Sequence, residues 1–111
     1  MMKSLHSPDE LDAAIAESHE RPVVLYKHSA TCPFAARAQE QVAEAKHDVT
    51  IYGVVVQYAR ELSERIAERT GVEHASPQAI VLRDGNVVWT GWRDEIQREK
   101  LVELAGSEQV G

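Results

Sequence analysis

One residue type stands out by its rarity: the chain has a single cysteine, Cys32, in the stretch Lys27-His28-Ser29-Ala30-Thr31-Cys32-Pro33-Phe34-Ala35. It follows an apolar run and precedes a helix-forming one, which places it between the carboxyl end of a strand and the first turn of a helix. Sheets built this way put their sites outside the carboxyl ends of their strands. The free N–H groups and dipole of a helix start favour a thiolate there. An ordinary thiol with a pKa near 8.5 is roughly 3% ionised at pH 7, and a drop of about two units would make most of it nucleophilic. Lys27 and His28 add to that drop if their side chains face the sulfur. Pro33 presets the first helical φ and holds Thr31-Cys32 extended. A lone cysteine is more often a buried, inert residue; the strand-Cys-Pro-helix context argues for a reactive one.

A dithiol redox site would carry its second sulfur at position 35, where this chain has Ala35. A mixed disulfide on Cys32 therefore needs an outside thiol to clear it. A phosphatase-type loop would need a glycine-rich anion cradle, whereas Pro33 and a helix follow at once. Arg37 on that helix reads as a solvated charge.

His74-Ala75-Ser76-Pro77-Gln78 forms the second constellation. A proline just before a buried strand invites a cis peptide, and a trans proline that opens the strand is the other option. In a thioredoxin-like fold this loop lies beside the cysteine, where the Ser76 backbone could pair with an extended substrate. His28 and His74 could each be a base, a donor or a pKa tuner. His6, His19 and His47 fall near helix ends and read as solvated. Trp89 reads as core; so does Trp92, with an exposed partner contact as its alternative.

The elements that must position these residues follow from pattern. Ser7-Pro8-Asp9-Glu10 combines an N-cap, an N1 proline and a capping box, with Leu11 and Ile15 on one face behind it. Pro22 to His28 is a continuously apolar strand of the kind buried on both faces. A helix from Pro33 to about Lys46 turns Phe34, Ala38, Val42 and Ala45 inward. Val49 to Val56 is a second strand. A helix from Ala59 to Thr70 faces Leu62 and Ile66 inward and stops at Gly71. Strands Ala79 to Leu82 and Val87 to Thr90 flank the hairpin turn Arg83-Asp84-Gly85-Asn86. Asp94 begins the last helix, with Ile96, Leu101 and Leu104 inside and Gly106 at its end. This α-β-α-β-α-β-β-α order predicts an α/β thioredoxin-like fold: a four-stranded mixed sheet flanked by helices, with one extra N-terminal helix.

Size and charge narrow the function. The 111 residues and net charge of −6 suit one small domain, residues 1–111, without a nucleotide-binding half. An acidic chain with no basic patch argues against nucleic acid and anionic membranes. One cysteine excludes an internal disulfide scaffold, and with five scattered histidines it builds no zinc finger, so no metal is expected. Asp9 and Glu10 interrupt any signal-peptide core, and the longest apolar run is far too short to span a bilayer. A cytoplasmic, reducing setting is expected.

Lys27-His28-Ser29 with Thr31-Cys32-Pro33 resembles the monothiol bacilliredoxin family, the YtxJ-like proteins of the bacillithiol system. Arg60-Glu61-Leu62-Ser63, Gly71-Val72 with His74, Ser76-Pro77-Gln78, and Gly85 with Val88-Trp89 extend the resemblance across most of the chain. The resemblance implies a thioredoxin-like fold, a reactive Cys32 and a cis Pro77 beside it. It implies removal of bacillithiol from protein mixed disulfides, with no bound cofactor and bacillithiol as co-substrate. Lys27, His28, Thr31, Pro33, His74, Ser76, Pro77 and Gln78 are the accompanying binding and pKa-tuning candidates. Partners would be S-bacillithiolated client proteins and a low-molecular-weight thiol, the protein itself being a monomer or weak dimer. The alternatives are a glutathione-dependent glutaredoxin-like protein, one form of which would share a [2Fe–2S] cluster through Cys32. Others are a non-catalytic binding module and a thiol sensor. A one-cysteine peroxidase fits least, because no peroxide-polarising arginine is evident beside Cys32.

Overall fold

The computed structural model describes residues 2–28, 33–56 and 59–106, without the side chains of residues 33 and 34. Along the chain run β1 (Met2–Ser4), α1 (Pro8–Glu17), β2 (Val23–His28), α2 (Pro33–Ala45), β3 (Thr50–Val55), α3 (Arg60–Thr70), β4 (Gln78–Arg83), β5 (Asn86–Trp92), a 3-10 turn at Arg93–Glu95, and α4 (Arg98–Ala105). The sheet has the order β1-β3-β2-β4-β5. β1, β3 and β2 are parallel, and β4 and β5 run antiparallel to their neighbours.

The α/β thioredoxin-like arrangement expected from the sequence is present, with five strands rather than four. β1 is the addition. It pairs Met2 with Ile51, Lys3 with Tyr52 and Ser4 with Gly53. Three residues with Lys3 and Ser4 exposed carry no period-2 signal; they become a strand by completing the open edge of β3. The next residue, Leu5, is buried and its N–H donates to the Gly53 carbonyl at 2.8 Å.

β2 is the axis of the molecule. Val23, Val24, Leu25, Tyr26 and Lys27 are all fully buried. Alternation along β2 sends Val24 and Tyr26 into a cluster with Ala38, Val42 and Ala45 of α2 and Leu101 of α4. Val23 and Leu25 go into a second cluster with Leu11 of α1 and Leu62 and Ile66 of α3. Each helix therefore covers one face with the stripe its sequence advertises.

The turns show how local chemistry positions these layers. Ser7 caps α1, its Oγ accepting from the Glu10 N–H at 3.2 Å; the Glu10 carboxylate accepts from His6 N–H rather than from Ser7. The β4–β5 turn places Asp84 at φ 55° and Gly85 at φ 79°, the left-handed pair that a tight hairpin needs. Ser18, buried at the end of α1, anchors this turn: its carbonyl accepts from Asp84 N–H at 2.7 Å and its Oγ from Gly85 N–H at 2.8 Å.

Three expectations near the C-terminus are corrected. The last helix starts at Arg98, not Asp94. β5 continues through Trp92, whose N–H donates to the Glu95 carboxylate at 2.7 Å and closes a short turn. Ile96 then adopts an extended conformation and α4 begins after it, with Arg98 N–H donating to the Gln41 side chain at 2.8 Å. Trp92 is not core: it is 44% exposed, with the Arg93 guanidinium 4.1 Å above its ring. Trp89 packs partly buried against the α2/α4 cluster. Leu104 is likewise only partly buried.

Ser18→Ala should lower unfolding free energy by about 1 kcal/mol by freeing the Gly85 N–H. Urea denaturation should show a lower midpoint at unchanged slope.

Candidate active site

Topology gathers the predicted residues at one end of the sheet. β2 ends at His28 and α2 begins at Pro33, so a four-residue link joins them. Cys32 with Ser29, Ala30 and Thr31 lies outside the described residues; in the chain Cys32 immediately precedes the first residue of α2. Pro33 opens that helix as expected, and the side chains of Pro33 and Phe34 are outside the description. Antiparallel pairing of β2 with β4 sets Lys27 against Gln78. The segment entering β4 therefore arrives beside the end of β2, and the Ser76–Pro77 peptide within it is cis. Pro77 is buried, and its carbonyl accepts from Arg93 N–H at 3.1 Å.

Side-chain direction separates the two basic residues of β2. His28 follows Tyr26 to the α2 face. Its Nδ1 lies 3.1 Å from the Tyr26 hydroxyl and the two rings are 5.7 Å apart. Burial lowers the His28 pKa, so the imidazole is predominantly neutral at pH 7. Burial pushes the Tyr26 phenol up, and it remains a hydrogen-bonding hydroxyl. Lys27 goes to the opposite face, with Val23 and Leu25. It is fully buried, its Nζ has no hydrogen-bond partner among the described residues, and desolvation lowers its pKa to about 8.

His74 is exposed; desolvation and the nearby Lys27 ammonium both lower its pKa. Gln78 is buried, with its Nε2 donating to the Glu73 carbonyl at 3.1 Å and its Oε1 unpartnered. The Ser76 hydroxyl is unpartnered as well. The structure thus brings Lys27, His28, His74, Ser76, Pro77 and Gln78 to the end of the sheet from which the link to α2 departs. His6, His19 and His47 are exposed; His6 follows the carboxyl end of β1 on the far side of β3 from β2, and Arg37 is exposed at 3.6 Å from Asp94.

Two contributors escape a reading of sequence alone. Tyr26 looks like one more core residue of an apolar strand, yet it holds the His28 ring. Ser63 is 5% exposed with an unpartnered Oγ. Its signal was available: it sits within the buried Leu62/Ile66 stripe of α3, where a hydroxyl is out of place. Among the described residues no cluster of His, Asp or Glu could hold a metal ion, and no helix is long and apolar enough to cross a membrane.

A parallel β1-β3-β2 half joined to an antiparallel hairpin, with a cis proline beside a strand-to-helix link, defines a thioredoxin-fold protein. Structural similarity agrees. One solved protein of thioredoxin fold superposes with a TM-score of 0.83 at 34% identity, covering 93% of this chain and 92% of its own. Thioredoxins from Fasciola hepatica (23% identity, TM-score 0.71, 92% and 94% covered) and Malassezia sympodialis (16%, 0.69, 93% and 86%) share the fold. Within that class the chain belongs to the monothiol bacilliredoxin family: the family model described as monothiol bacilliredoxin BrxC matches residues 3–101. Its single cysteine accords with the monothiol designation, and fold and family together support a thiol redox role.

Lys27 gives the site a pH signature. Its pKa is lower folded than unfolded, so folding releases its proton. The cost of burying the ammonium is fully present below about pH 8. It is relieved as pH rises from about 8 towards the unfolded value near 10.4. Lys27→Met should raise stability at pH 7 by up to about 3 kcal/mol and abolish the gain across that window, as read from urea midpoints against pH.

Proposed function

We propose that the protein is a monothiol thiol–disulfide oxidoreductase that removes bacillithiol from mixed disulfides on client proteins, using Cys32 as its nucleophile. The observation that carries this reading is positional. The only thiol of a bacilliredoxin-family chain lies in the link between β2 and α2, which departs from the sheet end that also carries the cis Ser76–Pro77 peptide.

In the proposed cycle the Cys32 thiolate attacks the bacillithiol sulfur of a protein mixed disulfide. A new bond forms between Cys32 and bacillithiol, the old disulfide breaks, and the client sulfur leaves as a thiolate that takes up a proton. A second bacillithiol thiolate, or an external reductase, then attacks the new disulfide. Cys32 is released reduced and the outside thiol carries the oxidation away. Ala35 at the position of a second sulfur makes the outside thiol necessary. Rates follow the thiolate fraction, the acidity of the leaving thiol and access.

The surrounding residues have stated places in this scheme. Pro33 starts α2, whose free N–H groups and dipole favour an anion in front of it, and Thr31 is the residue before Cys32 in the chain. Neutral His28, oriented by Tyr26, sits on the face of the sheet that α2 covers. Ser76 and Pro77 offer backbone to an extended client segment, as strand addition requires. Gln78 and His74 frame the opposite face together with Lys27. The partners proposed are S-bacillithiolated proteins and a low-molecular-weight thiol in a reducing cytoplasm, with no resident cofactor and a monomer or weak dimer as the working state.

Intact mass after brief exposure to a bacillithiolated test protein checks the reading. Wild type should gain one bacillithiol on Cys32, Cys32→Ser should gain none, and a glutathionylated donor should transfer at least about tenfold more slowly. Preference for glutathione would move the function to glutaredoxin-like chemistry. No transfer from either donor would overturn the nucleophilic role of Cys32.

A further inference from the structure

Among the described residues, four buried side-chain atoms lack a hydrogen-bond partner: Lys27 Nζ, Ser63 Oγ, Ser76 Oγ and Gln78 Oε1. Buried polar groups are nearly always satisfied, so a cluster of exceptions marks a place where something else binds. Three of the four converge on one face. Lys27 and Gln78 oppose each other across β2 and β4, and alternation turns both towards the cluster that includes Leu62 and Ile66 of α3. Ser63 lies on the first turns of that helix, next to Leu62.

A pocket of about 560 Å³ opens there, lined by Val56, Arg60, Ser63, Glu64 and His74. That is enough room for part of a small molecule. Arg60 is exposed and makes no ion pair among the described residues. The Lys27 ammonium is close enough to act on His74. Glu64 is the one carboxylate in the lining. The lining itself holds one cation, Arg60, and one carboxylate, Glu64, with the buried Ser63 hydroxyl beside them; the Lys27 ammonium, buried outside the lining, adds further positive charge. Helix α3 also begins directly after Ala59, which makes no side-chain cap hydrogen bond.

We propose that this pocket is a carboxylate subsite for the low-molecular-weight thiol, with Arg60 at its mouth, Ser63 Oγ donating to the carboxylate and Lys27 supplying buried positive charge beneath it. The proposal rests on the thiol-exchange reading of Cys32. It assigns the opposite face of the site from His28 to recognition of the thiol's acidic end. Charge-assisted donors of three different types suit a carboxylate, which accepts from all of them.

Two measurements test it. In a Cys32→Ser background, succinate should produce a saturable NMR shift of the Ser63, Glu64 and His74 amides, lost in Lys27→Met and in Arg60→Gln. Absence of a localised shift would overturn the subsite and leave the pocket to water. In wild type, Cys32 should form a mixed disulfide with dianionic 3,3′-dithiodipropionate about fivefold faster than with neutral 2-hydroxyethyl disulfide, the scale of one partly screened ion pair. Dicationic cystamine should be slowest. Either substitution should bring the anion-to-neutral ratio to about one; taking the ratio removes any change in thiolate fraction. Arg60→Gln, at an exposed position, decides the matter if Lys27→Met misfolds. Saturable succinate binding without disulfide selectivity would make the pocket a site for free dicarboxylates and overturn the thiol assignment. A Cys32 inert to all three disulfides would overturn the thiol-exchange reading, while the succinate titration would still decide the subsite.

Discussion

Everything in this molecule hangs from the burial of β2. The strand is paired on both edges, parallel to β3 and antiparallel to β4, and covered by helices on both faces. Its five residues from Val23 to Lys27 have no contact with solvent. A strand so placed cannot drift in register without exposing one apolar set and burying another. Its carboxyl end is therefore a fixed point, from which the link containing Cys32 departs and beside which β4 must begin. α2 starts after a four-residue link beyond that end, and the Ser76–Pro77 peptide leads into the strand paired against it.

The same burial gives the site its electrostatics. β2 is apolar until its last two residues, and those two basic side chains fall on opposite faces because strand side chains alternate. His28 finds a hydroxyl partner in Tyr26 and remains neutral. Lys27 finds none, so its ammonium is held at the cost of its own desolvation, with a pKa near 8 as the consequence. An unpaired buried ammonium opposes stability. It lies at the same end of the sheet as the unpartnered Gln78 Oε1 and Ser76 Oγ, counted among the described residues.

The edges of the sheet are handled locally. β1 covers the outer edge of β3 with three residues, and the β4–β5 hairpin is pinned to α1 through Ser18. The hairpin contact lies at the end of the sheet opposite the site, since Arg83 and Asn86 close the turn beyond the Val23 end of β2. Exposed Trp92 and the 3-10 turn after it lie closer, since Arg93 N–H is bonded to the Pro77 carbonyl. The C-terminal turn is thus mechanically joined to the cis-proline segment.

Several features were legible in the sequence because they depend on short-range physics. The Ser7-Pro8 cap, the left-handed Asp84-Gly85 turn, the Gly71 stop, the apolar run of β2 and the inward stripe Ala38/Val42/Ala45 are all decided within a few residues. So is the absence of a second sulfur at position 35, which already requires an external thiol for any redox cycle through Cys32. What only tertiary structure decided depends on partners distant in sequence. β1 exists because β3 offers an edge. Trp92 is outside because β5 runs two residues past its apolar signal. Whether Lys27 and His28 act together or apart follows from which layer covers each face of β2. Sequence determines the residues and their periodicity; the sheet decides which of them meet, because pairing and burial are long-range and local propensity carries no information about them.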